Sequence, residues 1–309
     1  MPVTPLIEVT HLSKRYGDHL AVQDVSFAVE RGEIFGVLGP NGAGKTTTVE
    51  CLGGLRRPDG GTVRVLGLDP RRDTAVLRRV LGMQLQESRL PGKIRVHEAV
   101  ALFASFHRDP ADPVRLMRDW GLERRRRAAF GTLSGGEKQR LSIALALVGA
   151  PEVVVLDELT TGLDPHARRD TWVLVERIRD TGVTVVLVTH LMEEAERLCD
   201  RVALIDEGRV VALGAPAALV GRLDAGARVR FRPSAPFDDR LLTDLPEVAA
   251  VRRSGGVVEV SGRGELLQAV TAVLARHGIV AAGLRVRQAS LDDAFVALTG
   301  RRPDREDVG

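Results

Sequence analysis

The segment Gly39-Pro40-Asn41-Gly42-Ala43-Gly44-Lys45-Thr46 constrains this chain more than any other. It fits the pattern G-x-x-x-x-G-K-[ST], and its setting fits as well. Ile34-Phe35-Gly36-Val37-Leu38 before it reads as a buried strand, and Thr46 onward reads as a helix. Glycines let successive backbone N–H groups curl inward around phosphate oxygens, and the helix N-terminus adds a partial positive charge. In such a loop Lys45 reaches the β- and γ-phosphates, while Thr46, followed by Thr47, offers a hydroxyl to Mg²⁺. Strand, phosphate turn and helix in this order demand an α/β fold.

A second segment completes the chemistry. Val153-Val154-Val155-Leu156 is a β-branched, apolar run that delivers Asp157 and Glu158 to its carboxyl end. Open α/β sheets bind ligands at that end of their strands. Asp157 suits the surroundings of Mg²⁺, and Glu158 suits a general base on an attacking water. Val183 to Val188 is a further buried run, and the core sheet is expected to be largely parallel.

From about 92 to 149 the pattern is helical, with Ala99, Leu102, Phe103 and Phe106 at three- and four-residue spacing on one expected apolar face. This reads as an all-helical insert in an α/β domain over 6–220. Beyond it the order of elements is β-α-β-β-α-β, a ferredoxin-like α+β domain over 222–300. Its first strand, Arg228 to Arg232, alternates arginine with apolar residues. A hairpin surrounds Gly255-Gly256, and a last helix from Ser290 has Leu291, Ala294, Phe295 and Leu298 along one stripe. Residues 301–309 read as a charged tail.

Composition narrows the function classes. Lys+Arg number 44 against 41 Asp+Glu, a net charge of only +3, and the basic residues are nearly all arginine. This is coding bias and no nucleic-acid footprint, so no nucleic-acid partner is expected. Cys51 and Cys199 stand in no metal spacing. No apolar run reaches the roughly 18 residues of a membrane span, and no basic segment precedes an apolar stretch at the N-terminus. Any membrane role must therefore go through a partner.

Leu133-Ser134-Gly135-Gly136-Glu137-Lys138-Gln139-Arg140 opens a helix with Ser134 as N-cap and Glu137 at N3. Ser-Gly-Gly at a helix N-terminus is also an anion site. At this point the chain resembles the ATP-binding subunits of ABC transporters, whose signature LSGGQ stands here as LSGGE. The resemblance runs over about residues 6–220, with six motifs in family order. It implies ATP and Mg²⁺ as ligands and an ATPase coupled to transport. It implies that Tyr16 stacks on adenine and that Gln86 is the Q-loop glutamine touching Mg²⁺ and the water, with Gln84 as the alternative register. Thr161-Gly162-Leu163-Asp164 matches the loop that crosses the dimer, and His190 matches the switch histidine at the γ-phosphate.

The resemblance further implies a second ATP-binding subunit, with homodimerisation expected. Each ATP would lie between the loop Gly39, Pro40, Asn41, Gly42, Ala43, Gly44, Lys45, Thr46 of one copy and Ser134, Gly135 and Gly136 of the other. It also implies an integral-membrane permease, contacted through Leu90, Pro91, Phe103 and Phe106, and a peripheral place on the cytoplasmic face of the membrane. Two positions depart from the family: Glu137 replaces glutamine and Leu159 replaces proline. The run Arg124 to Arg127 reads as a solvated loop or as a contact for acidic lipid headgroups. The segment Ala289 to Gly300, which holds the last helix, resembles the ending of daunorubicin-resistance-type subunits of ABC-2 exporters, which implies efflux of a drug, antibiotic or lipid-like compound. The rival, a single-cassette ATPase acting on nucleic acid or ribosomes, lacks support: too few residues separate Lys45 from Ser134 for a long coiled coil, and the chain carries one cassette.

Overall fold

The computed structural model describes residues 5–85, 90–221 and 226–301. The chain forms two compact units, one up to Pro216 and one over Ala217–Arg302.

In the first unit, the described residues form one nine-stranded sheet. Its strands are β1 (Ile7–Tyr16), β2 (His19–Val29), β3 (Ile34–Leu38), β4 (Gly60–Val65), β5 (Leu81–Gln84), β6 (Val153–Asp157), β7 (Thr184–Thr189), β8 (Arg201–Asp206) and β9 (Arg209–Gly214). The order is β4-β1-β2-β9-β8-β3-β7-β6-β5. Every residue of β3, β6 and β7 is buried, as their uninterrupted apolar composition requires. These three strands pair in parallel, with Leu38 opposite Thr189 and Asp157 opposite Val188. By contrast β1, β2 and β4 pair antiparallel, and β1 and β2 have mixed burial along their length. Phe27 stacks on Phe35 at 5.1 Å between ring centres, joining the two regions of the sheet.

The insert contains the helices Val96–Ala104, Pro113–Asp119 and Gly135–Leu147, with two short 3₁₀ turns. One expectation fails here. Leu102 is 46% and Phe106 72% exposed, and the buried face of the first helix is Val96, Ala99, Val100 and Ala104. The helix starts at Val96, and its core stripe is set from that first turn. Periodicity beginning at Ala99 fits two overlapping stripes equally well, and only packing chooses between them.

In the second unit, the described strands are β10 (Arg228–Pro233), β11 (Val248–Ser254), β12 (Val257–Gly262) and β13 (Ala281–Arg287), in the order β11-β12-β10-β13 and antiparallel throughout. Helices Arg240–Thr243 and Leu266–Arg276 complete a split β-α-β-β-α-β arrangement. Val229, Phe231, Val258 and Val260 share a core with Leu266, Val270 and Leu274. In the helix Leu291–Thr299, Leu291, Ala294 and Phe295 are buried within the single chain, whereas Leu298 is exposed.

Phe231 is the large aromatic at the centre of the small core, 1% exposed. Phe231→Ala should destabilise the second unit by about 3–5 kcal/mol, the usual cost of deleting a buried ring. In scanning calorimetry one transition should move down while ATP affinity stays unchanged. A parallel loss of ATP affinity would show that the two units fold as one.

Candidate active site

The parallel strands β3, β6 and β7 end side by side, and the candidate residues follow those ends. The loop Gly39–Gly44 leaves β3, Asp157 closes β6 with Glu158 next to it, and His190 follows β7. A one-residue slip in either pairing would turn these side chains to the opposite face.

The loop after β3 runs into the helix Lys45–Leu52, whose N-cap is Gly44 at φ 96°. That left-handed backbone suits glycine, and a Cβ there would collide with the Ala21 carbonyl oxygen. No side chain caps this helix start, which leaves its first N–H groups without a side-chain partner. Lys45, 5% exposed, donates from Nζ to the carbonyls of Gly39 at 2.8 Å and Pro40 at 2.9 Å. Burial pulls its pKa down, against the opposing pull of Glu158 and Asp157.

Asp157 is fully buried, and neither carboxylate oxygen makes a hydrogen bond of ordinary geometry. Burial first, and then the charge of Glu158, push its pKa from 3.8 up to about 6, while Thr46 and Lys45 oppose the rise. Glu158 adopts φ 49°, a strained conformation for a residue with a side chain. Its Oε1 lies 3.5 Å from His190 Nδ1, with both side chains under a tenth exposed. The contact with His190 is the main reason that the Glu158 pKa is held below its usual range. Gln84 is buried, and its Oε1 accepts the Asp157 N–H at 3.2 Å while its Nε2 donates to Leu85 O. Gln84 is thus bound into the β5–β6 edge and steadies the strand end that carries Asp157. Gln86 lies outside the described residues.

Of these residues Lys45 and Glu158 border an open cleft of about 470 Å³, whereas Asp157, His190 and Gln84 are not among its lining. Its lining joins Tyr16 and His19 with Asn41, Gly42, Gly44, Lys45, Thr46 and Thr47 and with Glu158. Tyr16 is 39% exposed, with Lys14 Nζ at 5.5 Å and the Arg56 guanidinium at 5.9 Å from its ring centre. A flat aromatic flanked by cations beside a phosphate loop can stack on a base whose phosphates lie beyond it. His19 escaped the reading of the sequence, since no motif marks it; the turn between β1 and β2 brings it to the wall.

Ser134, Gly135 and Gly136 are not among the cleft's walls. Ser134 caps the helix Gly135–Leu147: its Oγ accepts the Glu137 N–H at 3.2 Å, and Glu137 Oε2 accepts the Ser134 N–H at 2.9 Å. Glu137 also pairs with Arg125 at 2.9 Å, so one arginine of the Arg124–Arg127 run is held by the acid that replaces the usual glutamine. Leu159, in the place of proline, is 1% exposed and anchors the turn by burial. Asp164 caps the helix Pro165–Asp180, accepting the N–H groups of His166 and Ala167 at 2.9 and 3.0 Å. Beneath these loops Glu194, 1% exposed, accepts the Thr160 hydroxyl at 3.0 Å and the Trp172 indole N–H at 3.1 Å. This buried acid links the segment after Glu158 to the helix after His190. Nothing in the sequence separates it from its neighbours Glu193 and Glu196.

The site fits a divalent cation. Asp157 has two buried carboxylate oxygens with no hydrogen-bond partner, and the Thr46 hydroxyl is close enough to affect its titration. Hard oxygen donors of this kind suit Mg²⁺. Because the folded-state pKa of Asp157 is raised, ionising it costs the fold nothing below about pH 4. The cost grows with pH and is complete above about pH 6. Without nucleotide and metal, Asp157→Asn should therefore be more stable than the parent at pH 7.5, by on the order of 2–3 kcal/mol. The advantage should vanish near pH 4. Equal melting temperatures at pH 7.5 would show that the buried charge is already compensated.

A family model described as ABC transporter matches residues 22–161. The Nod factor export ATP-binding protein I of Burkholderia orbicola is 40% identical over 97% of this chain and 99% of its own length. The protein of the same name from Mesorhizobium japonicum is 37% identical over 96% of this chain and 88% of its own length. Among solved structures, an ATP binding subunit of an ABC transporter superimposes with a TM-score of 0.63 at 30% identity, covering 70% of this chain and 92% of that one. The subunit cbiO1 of Clostridium perfringens, part of the ABC transporter complex cbiONQ, gives a TM-score of 0.64 at 29% identity over 71% of this chain and 91% of its own. With a glycine-rich loop, an acid pair and a histidine at adjacent strand ends of this fold, and with relatives 40% identical over 97% of its length, the chain belongs to the ATP-binding, ATP-hydrolysing subunits of ABC transporters.

Proposed function

We propose that this chain is the ATPase subunit of an exporter, acting as a pair of copies to drive a drug, antibiotic or lipid-like compound through a separate membrane permease. The observation that carries this reading is similarity to proteins named for export over 97% of the chain, which takes in the second unit as well as the ATPase unit. Among the described residues no helix is long and apolar enough to cross a membrane, so the path for cargo belongs to a partner. The chain then works at the cytoplasmic face of the membrane. Leu90, Pro91, Phe103 and Phe106 are its candidate contacts with the permease, and the 72% exposure of Phe106 beside Phe103 supports this.

The proposed reaction is ATP hydrolysis to ADP and phosphate. Tyr16 stacks on the base, and the N–H groups from Gly42 to Thr47 hold the phosphates. Lys45 exchanges the Gly39 and Pro40 carbonyls for β- and γ-phosphate oxygens. Thr46, Asp157 and Gln86 would hold Mg²⁺, which when bound supplies positive charge to the phosphoryl oxygens. Glu158 is kept ionised beside His190 and so can accept a proton from the attacking water. His190 fixes that carboxylate and faces the γ-phosphate. The wall that a single chain leaves out is supplied by Ser134, Gly135 and Gly136 of a second copy, with Asp164 near the crossing.

Glu158→Gln should retain ATP binding, lower turnover by about 10² or more, and collect as an ATP-dependent dimer on a sizing column. Hydrolysis near the parent rate would remove Glu158 from the role of base. Tyr16→Ala should weaken ATP binding by about 1–2 kcal/mol, whereas Tyr16→Phe should be nearly silent. Equal damage from both, measured by titration with a fluorescent ATP analogue, would point to the hydroxyl and against stacking.

A further inference from the structure

The sheet of the second unit carries an arrangement that the ATPase reaction does not use. One face of β10 displays Arg228, Arg230 and Arg232, while Val229 and Phe231 fill the core on the other. On the neighbouring edge strand the pairing sets Arg228 opposite Arg287 and Arg230 opposite Arg285, while on the other side β12 sets Glu259 opposite Arg230. Like charges directly across a ladder are destabilising. Among the described residues, Arg228, Arg230, Arg232 and Arg285 enter no ion pair, and Arg287 reaches only Asp293, at 3.7 Å.

The backbone shapes this charge into a concavity. Between Arg230 and Arg232 the register with β13 shifts by one residue, Arg230 facing Arg285 and Arg232 facing Ala282. The extra residue of β13 makes a bulge that contains Gly283 at φ 61°, where a Cβ would meet nothing within 4 Å. A cavity of about 410 Å³ opens there, bordered by Arg230, Arg232, Arg285, Val257, Ala282 and Gly283. Among the described residues no carboxylate lines it, Glu259 beside Arg230 being the acid nearest in the ladder, and its one aromatic neighbour, Phe231, is 1% exposed.

We propose that this bulge pocket is a binding site for a phosphoryl group, separate from the nucleotide cleft and sharing no residue with it. Three guanidinium groups offer paired N–H donors in fixed forks, which match phosphate oxygens two at a time. A tetrahedral dianion satisfies three such forks better than a planar carboxylate does. It would also offset the facing charges of Arg230 and Arg285, against which the ladder sets only Glu259. Recognition of nucleic-acid bases is disfavoured, because sheets of this topology read bases by stacking them on exposed aromatic residues, and this face exposes none. The same chemistry serves a free phosphorylated metabolite or the phosphate of a lipid headgroup.

The test uses the full chain with its nucleotide cleft saturated by a non-hydrolysable ATP analogue and Mg²⁺. Calorimetric titration with pyrophosphate should show one further site per chain. Arg232→Ala and Arg285→Ala should each weaken it tenfold or more, and Arg285→Lys, which keeps the charge but loses the fork, should weaken it several-fold. Arg276→Ala, on the helix Leu266–Arg276, should leave it unchanged. Arg285→Ala should melt no lower than the parent, since it removes one of two facing charges, so lost binding there is not lost folding. Flotation with vesicles of phosphatidylcholine containing about a third phosphatidic acid separates the two sources. Vesicle binding that pyrophosphate displaces assigns the headgroup, and pyrophosphate binding without vesicle binding assigns the free phosphate. Absence of both, or an equal loss in Arg276→Ala, overturns the proposal.

Discussion

The parallel register of β3, β7 and β6 is the constraint on which the rest depends. These strands are buried over their whole length, so their apolar side chains fix them against sliding. Their common direction brings three chain reversals to one edge: the phosphate loop after β3, His190 after β7, and Asp157 with Glu158 at the end of β6. The Glu158 N–H continues the ladder by donating to Val188 O at 2.9 Å, so the acid turns away from the sheet only after its backbone is anchored. The strained φ of Glu158 is held by that bond and by the buried Leu159 that follows.

Electrostatics follow from this packing. Lys45, Asp157, Glu158 and His190 are gathered with side chains under a tenth exposed, and buried charges of this kind are costly without partners. Asp157 shows the cost most plainly, with its titration pushed up by burial and by its neighbour. Glu158, one residue further on, moves the opposite way because His190 faces it. Two adjacent acids thus acquire opposite titration behaviour from their surroundings: that of Asp157 is raised, and that of Glu158 is lowered beside His190. A bound nucleotide with its metal would relieve the first penalty, which couples ligand binding to the stability of the site.

A second layer holds these loops together. Gln84 clasps the backbone of Asp157, and Glu194 joins Thr160 to Trp172 beneath the turn between Glu158 and the helix Pro165–Asp180. Arg125 and Glu137 fasten the start of the signature helix to the loop before it. The groups that line the cleft and the groups that support them therefore come from segments far apart in the chain.

The sequence alone determined the α/β class, the phosphate loop, the acid pair and the split order of the second unit. Each of these rests on local rules: glycine spacing, apolar runs of strand length, hairpin turns and capping boxes. It also marked Tyr16 and His190, through their order among the motifs. Which stripe of the helix Val96–Ala104 would be buried was beyond it, because a short helix rich in apolar residues offers several stripes and neighbouring elements select one. Gln84 was marked only as an alternative register for Gln86, and Glu194 and His19 were silent, since such side chains take their roles from what the fold sets opposite them. The arginine alternation on β10 was plain in the sequence, but its meeting with Arg285 across a bulge was not. Alternation is a property of one strand, and register between strands far apart in the chain is decided only when the sheet closes.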